Sequence, residues 1–507
     1  MNRIVLFLGI MAAGAGARVI VVPDSAATIA EGLGMARTGD TVLVKPGRYE
    51  ENITWPSTDG IKLYSAAGPD STVISGGGNG RVITMGSGLT RATEIRGFEI
   101  SGGKASSAAG IYCPGSPSIV GNRIRGNEAH GERNYGGGIL CGSYSSPLIA
   151  GNEISANVCS DTNTWNYGGG IYLDMNSTAE ICYNLIAANI CAEGYWNYGA
   201  GIYVTGSAGA VIWQNVIRGN LNTGGSSGRG YGAGIHVDSR ALIFSNLIIG
   251  NVNSATAWNY GGGVFCAGFT ELYSNTISAN VCQGGNWRYG GGVAVYVNDT
   301  AVAKNNIVVG NSSGSGGGFW RYDNTSTVLV NSFNDVWNNI GGNYSNCSPG
   351  LGDISQDPVF ASGPLGEYCL SHVAAGQPVI SPCVDAGDTV LTVWPLNLDS
   401  LLHSWTTRTD SVFDLGVVDM GYHYPTGYPV AIAESPPAAA GERTRATVVH
   451  GTLRLSLSPA ADGRRQELLD ASGRKVMEVG PGPNDISRLS PGVYFVPAAE
   501  PRRVVKF

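Results

Sequence analysis

Two aspartates at the same position of a repeated unit are the strongest candidates for acid–base chemistry. Asp174 and Asp238 each lie four residues after a repeat glycine, and His236 lies two residues before Asp238. In stacked strands about 4.8 Å apart, two carboxylates two layers apart would be separated by about 9.6 Å. Inverting glycosidases hold their carboxylates roughly 6.5–9.5 Å apart. We therefore take Asp174, Asp238 and His236 as catalytic candidates; the alternative is that the aspartates are solvated turn residues.

Aromatic residues recur at three positions of the unit and are candidates for stacking on sugar rings. One set lies two residues after the glycine, one lies two residues before a repeated asparagine, and one lies in a loop before the glycine. An exposed apolar stripe usually marks a binding surface or a covered one. The predicted ligand-binding residues are Tyr172, Tyr203, Phe265, Trp213, Phe244, Tyr273, Trp165, Trp196, Trp258 and Trp287. The alternative is that loops or stacked aromatic ladders cover them.

The loop before each glycine carries a tyrosine, and two residues earlier an arginine or a tryptophan. Arg133 and Arg229 alternate there with the four tryptophans. If the loops stack in register, guanidinium groups can lie on indole faces, each contact contributing about 0.5–2 kcal/mol. The pattern favours a structural ladder that forms a wall, with a carbohydrate platform at its exposed edge as the alternative.

The sequence predicts no cofactor. The six histidines are far apart and no C-x-x-C pair is present, which argues against zinc. Calcium stays open, because carbonyl ligands leave no mark in a sequence. The ten cysteines fall mostly at apolar positions and are expected to be buried thiols. A bridge is expected only among Cys347, Cys369 and Cys383.

The chain of 507 residues has a net charge of −7, with 14% charged and 43% hydrophobic residues. Its acidity argues against nucleic acid or an anionic membrane as partner, since both require a basic surface. The N-terminus predicts a signal peptide over residues 1–17. It has a basic start, an apolar run from residue 4 to 16 and the small-residue sequence A-G-A at residues 15–17. The run is too short to span a membrane, and no later segment is long enough.

Self-similarity dominates residues 106–345. A glycine followed by an apolar residue recurs about every 30 residues, at Gly110, Gly138, Gly170, Gly201, Gly234, Gly263, Gly292 and Gly318. A second marker, N-x-[I/V], recurs in step and is followed five residues later by another asparagine. This spacing predicts a structural ladder of stacked amides, formed by Asn152, Asn184, Asn215, Asn246, Asn275 and Asn306.

The apolar pattern within each unit has a period of two, in segments of three to five residues separated by glycine and asparagine. Such a pattern indicates short strands, and no helical stretch lies between them. The simplest solution is a coil of short strands stacked in parallel on its neighbours. We therefore predict an all-β chain, built as a right-handed parallel β-helix solenoid followed by a small C-terminal β-sandwich.

Residues 19–427 resemble the right-handed parallel β-helix proteins of the pectin-lyase-like superfamily. The opening segments are G-D-T-V-L-V (39–44) and P-G-R-Y-E-E-N-I (46–53). The closing segments are D-P-V-F (357–360), S-P-C-V-D-A-G-D (381–388) and D-M-G-Y-H-Y (419–424). The resemblance implies a secreted bacterial protein with this fold. It does not fix the function, because the superfamily includes lyases, hydrolases and adhesins. The acidic triad of polygalacturonase-like members and the acid-plus-arginine cluster of calcium-dependent lyases are both missing.

Alternating strands and turn signals follow a Pro/Ala-rich linker near the C-terminus. L-D-A-S-G-R-K-V (469–476), L-S-P-G-V-Y-F (489–495) and a basic end resemble type IX secretion sorting domains. The resemblance implies that the tail directs export and surface attachment; the alternative is an accessory Ig-like domain. The predicted boundaries are residues 1–17 (signal peptide), 18–105 (N-terminal cap and first coils), 106–345 (repeats), 346–428 (C-terminal cap), 429–446 (linker) and 447–507 (sorting-type sandwich).

The sequence favours a secreted or cell-surface β-helix that binds carbohydrate or a cell surface through aromatic-lined coils and loops. The alternative is a polysaccharide lyase or glycoside hydrolase, and whether the protein is an enzyme stays open. The expected partners are a polysaccharide or cell-surface glycan and, through the tail, the export machinery.

Overall fold

The computed structural model describes residues 16–425, apart from residues 132, 162–164, 207, 389–391 and 394–395, and seven strands between residues 447 and 506. The predicted signal peptide lies almost wholly outside the described residues. The chain forms two compact units, Met1–Glu434 and Ser435–Phe507, and the boundary between them falls in the predicted linker.

The first unit is a parallel β-solenoid, as the repeat predicts, with three long sheets A, B and C that run its whole length. Sheet A has twelve strands, Val19–Val22, Thr41–Val44, Lys62–Ser65, Glu94–Arg96, Ser118–Val120, Leu148–Ala150, Glu180–Cys182, Gly209–Trp213, Arg240–Phe244, Phe269–Tyr273, Thr300–Lys304 and Val328–Ser332. Sheet B has eleven, Gly47–Glu50, Thr72–Ser75, Glu99–Ser101, Arg123–Arg125, Glu153–Ser155, Leu185–Ala187, Val216–Arg218, Leu247–Ile249, Thr276–Ser278, Ile307–Val309 and Asp335–Trp337. Sheet C has eleven, Ile53–Thr54, Ile83–Thr84, Ile111–Cys113, Ile139–Cys141, Ile171–Leu173, Ile202–Val204, Ile235–Val237, Val264–Cys266, Val293–Val295, Phe319–Arg321 and Tyr344–Ser345.

Two shorter sheets, D and E, are present only where the coils are longest. Sheet D comprises Lys104–Ala105, Glu128–Ala129, Val158–Ser160, Ile190–Ala192, Leu221–Asn222, Val252–Asn253 and Val281–Cys282. Sheet E comprises Arg133–Tyr135, Trp165–Tyr167, Trp196–Tyr198, Arg229–Tyr231, Trp258–Tyr260 and Trp287–Tyr289, which are the loops that carry the arginine, tryptophan and tyrosine pattern. A full coil therefore passes through sheets A, B, D, E and C in that order.

The remaining elements close the two ends of the solenoid. A helix, Ile29–Met35, follows the first strand; its Thr28 side chain accepts a hydrogen bond from the Glu31 amide. Beyond the last coil lie the antiparallel pairs Phe360–Gly363 with Gly366–Leu370, Thr392–Val393 with Leu396–Asn397, and Trp405–Thr406 with Tyr424–Pro425, together with a 3-10 turn at Val373–Ala375 and a helix at Leu398–Leu402. No helix among the described residues is long and apolar enough to cross a membrane.

The second unit contains small β-sheets, as predicted. A five-stranded sheet and a two-stranded antiparallel sheet are formed by Thr447–Val449, Thr452–Leu455, Gln466–Asp470, Lys475–Val479, Gly482–Asp485, Gly492–Val496 and Arg502–Lys506.

Ladders of buried asparagine amides hold the coils in register. The Nδ2 of Asn246 lies 3.0 Å from Oδ1 of Asn275 in the next coil and 2.9 Å from the Ile212 carbonyl in the preceding one. Its own Oδ1 accepts from both the backbone and side-chain nitrogens of Asn215. The same bonds repeat at Asn152, Asn184, Asn215, Asn275 and Asn306. Each amide thus satisfies backbone groups that the buried corner would leave unpaired.

The second asparagine of each repeat explains why a glycine precedes the sheet C strand of that repeat. A Cβ atom at Gly170 would lie 2.6 Å from the Gly201 carbonyl and 2.9 Å from Nδ2 of Asn189. Only glycine lets the backbone approach its neighbour and the amide ladder this closely. The repeat glycine and the second asparagine of the repeat therefore pack directly against each other.

The C-terminal cap folds back along sheets A and B. Trp405 stacks on Trp213 with ring centroids 5.8 Å apart, and the helix Leu398–Leu402 packs in the same apolar cluster as Phe244. The His423 carbonyl accepts hydrogen bonds from Gln214 and Ser245 at the corners of two successive coils. The cap thus covers apolar surface that the strands of sheet A would otherwise expose.

A buried ion pair fixes the end of this cap. Nε2 of His423 lies 2.8 Å from the Asp414 carboxylate, and Nδ1 lies 3.0 Å from the Gly421 carbonyl. Burial opposes the charged imidazole, but the bonds to Asp414 raise the pKa of His423 above its ordinary value. Because both partners of the ring are acceptors, the doubly protonated form of His423 fits this geometry.

The expected cysteine bridge in the cap is wrong. All ten cysteines are free thiols, and nine of them are buried. The Cys383 thiol lies 3.3 Å from the Asp335 carboxylate rather than against Cys347 or Cys369. The expectation of buried thiols in the coils is confirmed.

Replacing one ladder asparagine tests how much the amide stack contributes to stability. Asn246→Ala removes the acceptor of the Asn215 backbone N–H and the side-chain bonds that Asn246 makes to Asn275 and to the Ile212 carbonyl. With about 1–3 kcal/mol for the unsatisfied buried N–H and roughly 1 kcal/mol for each lost bond, the free energy of unfolding should fall by ~3 kcal/mol or more. Guanidinium unfolding measures the change. The control is Asn79→Ala in an exposed turn, expected to cost less than ~0.5 kcal/mol; equal effects would contradict the ladder's role.

Candidate functional site

In-register stacking places the turns that follow sheet C in one row along the solenoid. The strands Ile171–Leu173, Ile202–Val204 and Ile235–Val237 pair residue by residue. The next residues, Asp174, Thr205 and Asp238, therefore occupy equivalent places in three successive coils, as the repeat predicts.

Asp238 is the centre of a hydrogen-bonded group. One carboxylate oxygen accepts from the Tyr203 hydroxyl, and the other lies 3.0 Å from Nε2 of His236. The His236 ring is only 1% exposed, between Tyr203 and Phe265, whereas the Asp238 side chain is 39% exposed. Two buried side chains thus hold one accessible carboxylate in a fixed orientation.

Asp174 has different partners. Its carboxylate accepts from the Ser143 hydroxyl at 2.7 Å and lies 3.4 Å from the Tyr172 hydroxyl. These contacts tie Asp174 to its own and the preceding coil, and no contact among the described residues joins it to Asp238. Asp174 and Asp238 therefore lie two coils apart, as the repeat predicts, and each is held by its own set of partners.

A further acidic residue of this row, Asp299, was missed by the sequence analysis; its pKa responds to the charge of Asp238. Asp299 lies in the turn Tyr296–Asp299, two coils after Asp238, and its amide donates to the Tyr296 carbonyl. It is three residues beyond the repeat position of Asp238, so alignment of the repeats does not single it out. The only signal is its place in a turn after a strand of sheet C.

The pKa values of the two carboxyls are moved apart. Burial, then the negative charge of Asp238, raises the pKa of Asp299 to about 6. Burial would also raise the pKa of Asp238, but the electrostatic attraction of His236 and the hydrogen bonds from His236 and Tyr203 outweigh it, and the pKa falls below the ordinary value. At neutral pH both groups are ionised, and near pH 6 Asp299 is half protonated while Asp238 keeps its charge.

The tyrosines of sheet E form a continuous stack above this row. Tyr135, Tyr167, Tyr198 and Tyr231 follow one another with centroids 5.2, 5.0 and 5.1 Å apart. The stack continues to Tyr260 at 5.5 Å. It covers the outward side chains of sheet C, and predicted ligand-binding residues Tyr172, Tyr203 and Phe265 are buried beneath it. For these three residues the alternative interpretation of the sequence applies, in which a stacked aromatic ladder covers them.

The charge of Asp238 acts on part of this stack. The charge of Asp238 adds to burial in raising the pKa of both Tyr167 and Tyr198. The hydroxyls of Tyr167, Tyr198 and Tyr260 have no hydrogen-bond partner among the described residues, yet they are not sealed from solvent. We call the part of this row from Asp238 to Asp299, with Tyr296 in its last turn, the Asp238–Asp299 site.

Arginine and tryptophan side chains alternate on sheet E, as predicted. The Arg229 guanidinium lies 4.0 Å from the ring centroids of both Trp196 and Trp258. Arg133 lies 5.1 Å from the Trp165 ring. Trp165 and Trp287 are 42% and 51% exposed, whereas Trp196 and Trp258 are half-buried in the stack. Of the four predicted binding tryptophans, two therefore offer a largely open ring.

The aromatic residues predicted on sheet A are covered by the cap. Trp213 and Phe244 stack with Trp405, and Tyr273 is buried in the same cluster. Sequence analysis could not place the cap there, because its residues lie about 160 positions away along the chain. These three residues are accordingly left out of the binding site.

Metal ligands do not cluster in the described part of the chain: no group of three His, Cys, Asp or Glu side chains is placed to hold an ion. The one close histidine–carboxylate contact of the site, His236 with Asp238, is bordered by aromatic rings rather than by further oxygen ligands.

Comparison with known proteins supports the fold. A family model described as "Right handed beta helix region" matches residues 52–226. The chain is similar to the structure of the PL6 family polysaccharide lyase Pedsa3628 from Pseudopedobacter saltans. The sequence identity is 13%, the TM-score is 0.31, and the match covers 65% of this chain and 91% of that one. The PL6 family alginate lyase AlyGC is 11% identical with a TM-score of 0.30, covering 85% of this chain and 61% of that one. At these scores neither likeness bears on function. The search of curated proteins finds no match.

The coupling of the two carboxyls can be measured directly. Asp238→Asn removes the negative charge that helps to raise the pKa of Asp299, so this pKa should fall below about 6. Carbon-13 NMR of the Asp299 carboxyl follows the titration. Asp24→Asn, on the surface of the first coil, is the control and should leave the midpoint in place. An unchanged midpoint in Asp238→Asn would show that the two carboxyls do not interact.

Proposed function

We propose that the protein is an exported or cell-surface β-helix that binds a carbohydrate at the Asp238–Asp299 site. The observation that carries this proposal is an accessible carboxylate, that of Asp238, fixed by two buried side chains in the row of turns after sheet C. Sugar hydroxyls need donors and acceptors fixed in place, and Asp238 is held by His236 and Tyr203. A few fixed polar groups among aromatic side chains are what small-molecule sites commonly provide.

The exposed tryptophans give the site a second element. Indole faces suit the apolar C–H faces of sugar rings, and Trp165 and Trp287 lie on sheet E next to the tyrosine stack. Because strands of one sheet repeat about every 4.8 Å, Trp165 and Trp287, four strands apart, are separated by roughly 19 Å along the axis. An extended oligosaccharide can follow this direction.

Export and surface attachment rest on sequence signals. The leader at residues 1–17 and the tail that resembles a type IX sorting domain both support them. In this proposal the second unit directs the chain to the export machinery, and the solenoid carries the binding site.

Cleavage of the glycan is the second candidate function. It is favoured by one observation, the opposite shifts of the pKa values of Asp238 and Asp299. A carboxylate that stays ionised beside a carboxyl protonated near pH 6 can divide the roles of base and acid. A lyase or a hydrolase would use such a pair.

A glycan panel tests binding and cleavage together. The purified chain is incubated with neutral, acidic and amine-bearing oligosaccharides, and calorimetry measures binding. We expect binding to at least one class, with Asp238→Asn and Trp165→Ala each reducing affinity tenfold or more. Asp24→Asn should bind like the parent chain.

Product analysis of the same mixtures distinguishes the two functions. New reducing ends or the ultraviolet absorbance of unsaturated uronate would establish cleavage. Binding without product would support a binding protein, and no binding to any class would contradict the proposal.

A further inference from the structure

Three successive backbone N–H groups of the C-terminal cap donate hydrogen bonds to three successive coils of the solenoid. These bonds run from Gly421 to the Asn305 carbonyl, from Tyr422 to the Thr276 hydroxyl and from His423 to the Ser245 hydroxyl. They lie beside the three aromatic residues of sheet A that the cap covers, Trp213, Phe244 and Tyr273, which we call the aromatic strip. The stretch 421–423 therefore holds the cap closed over this strip.

The side chain of His423 belongs to a buried cluster of titratable groups. The Asp414 carboxylate accepts from Nε2 of His423 and, at 2.9 Å, from the Asp419 amide. The Asp419 carboxylate accepts from the Asp385 amide at 2.7 Å and from the Thr407 hydroxyl. Asp414, Asp419 and His423 are only 5%, 3% and 0% exposed. Because so little water reaches these groups, a change in their charge is poorly screened.

The surroundings of this cluster are unequal on its two sides. Other titratable groups act on it from within the cap, namely His403 on Asp414, and Arg408 and Cys383 on Asp419. On the solenoid side, His423 bonds to the neutral side chains of Gln214 and Ser245. One residue thus joins the charged cluster of the cap, through its ring, to the coils, through its backbone.

A second buried carboxyl ties the cap to the last coil. Asp335, in the final strand of sheet B, is fully buried, and its carboxylate lies 3.3 Å from the Cys383 thiol and 3.1 Å from the Gln356 amide. The Cys383 carbonyl in turn accepts from the Met420 amide, next to the stretch 421–423. Burial raises the pKa of Asp335 to about 6, so the neutral acid is the form that this place favours.

Asp335, Asp419 and His423 all bind a proton more tightly in the closed cap than in water. Burial and the charge of Asp414 raise the pKa of Asp419 to about 6, and the bonds to Asp414 raise that of His423 although burial opposes them. A raised pKa stabilises the closed cap at lower pH, and this stabilisation is lost as the pH rises through it. For the two aspartates the loss falls between about pH 4 and pH 6, and for His423 above its ordinary pKa. Asp414, whose pKa is lowered, weakens the cap only in stronger acid.

We propose that the C-terminal cap is a proton-dependent latch, closed over the aromatic strip in mild acid and released as the pH rises. Proton loss from His423 leaves a ring lone pair facing one of its two acceptors, Asp414 or the Gly421 carbonyl. Ionisation of Asp419 places a second negative charge beside Asp414 in a buried place. Both changes act on the stretch 421–423, so its bonds to the coils weaken and the aromatic strip opens. This latch is independent of carbohydrate binding at the Asp238–Asp299 site.

Hydrogen exchange in the full chain, followed by NMR, measures the release of the latch. The reporters are the Gly421, Tyr422 and His423 amides, which bond to the coils. After correction for the intrinsic effect of pH on exchange, these amides should exchange at least about tenfold faster at about pH 9 than at about pH 5, since one unit of pKa shift is a factor of ten. The Ile202 and Ile235 amides inside the coils are the internal control and should keep their protection.

Asp419→Asn tests the direction of the effect. The carboxamide stays neutral at every pH and can keep contacts with Asp385 and Thr407, so the three reporter amides should exchange about tenfold more slowly than in the parent chain at about pH 8. His423→Gln cannot take up a second proton, so its cap should already be loose at about pH 5 and change little above neutral pH. Asp24→Asn, in the first coil, should behave like the parent chain.

The outcomes decide for or against the latch. Reporter exchange that does not depend on pH after correction overturns it, and so does an equal rise in the Ile202 and Ile235 amides. Reporter exchange in folded Asp419→Asn that is as fast as in the parent chain also overturns it; circular dichroism shows whether this variant is folded. Slower exchange cannot result from misfolding and supports the latch. If Asp419→Asn does not fold, Asp335→Asn supplies the same test, because it also replaces a buried carboxyl by a neutral amide.

Discussion

Stacked asparagine amides are the constraint on which the rest of the solenoid depends. Each amide bonds to its counterparts in the coils on both sides and to backbone carbonyls at the corner, so adjacent coils cannot slip by a residue without breaking buried bonds. A slip of one residue would also turn the apolar side chains of every strand outward. The ladder therefore fixes which residues of distant repeats become neighbours. The glycine that precedes the sheet C strand of each repeat belongs to the same constraint, since it leaves space for the amide at positions such as Asn189.

Fixed register converts a sequence repeat into a row of chemical groups. The turns after sheet C line up, so Asp174, Thr205 and Asp238 follow one another along the axis. Longer coils add sheets D and E, and the tyrosines of sheet E stack over the outward residues of sheet C. This cover buries His236 and Tyr203 while Asp238 stays accessible. The wall of loops is thus both a structural ladder and one side of the candidate site.

Repetition also decides how much could be predicted from the sequence. The parallel solenoid, the amide ladder and the arginine–tryptophan alternation follow from residues that recur at a constant spacing. The candidate site is harder to predict from the repeat, because some of its residues do not occupy repeated positions. Asp299 lies beyond the aligned position, and its relation to Asp238 appears only when the turn is folded. Trp213 and Phe244 have the pattern of an exposed binding strip, yet a cap from far along the chain brings Trp405 onto them. Contacts between segments without a shared period leave no signal in one sequence.

A crystal structure of the chain soaked with the oligosaccharide that binds most tightly in the glycan panel tests the central claim most directly, because it shows where a sugar lies. We predict a sugar hydroxyl within hydrogen-bond distance of the Asp238 or the Asp299 carboxylate. Density confined to the exposed rings of Trp165 and Trp287, with the two carboxylates free of ligand, would contradict it.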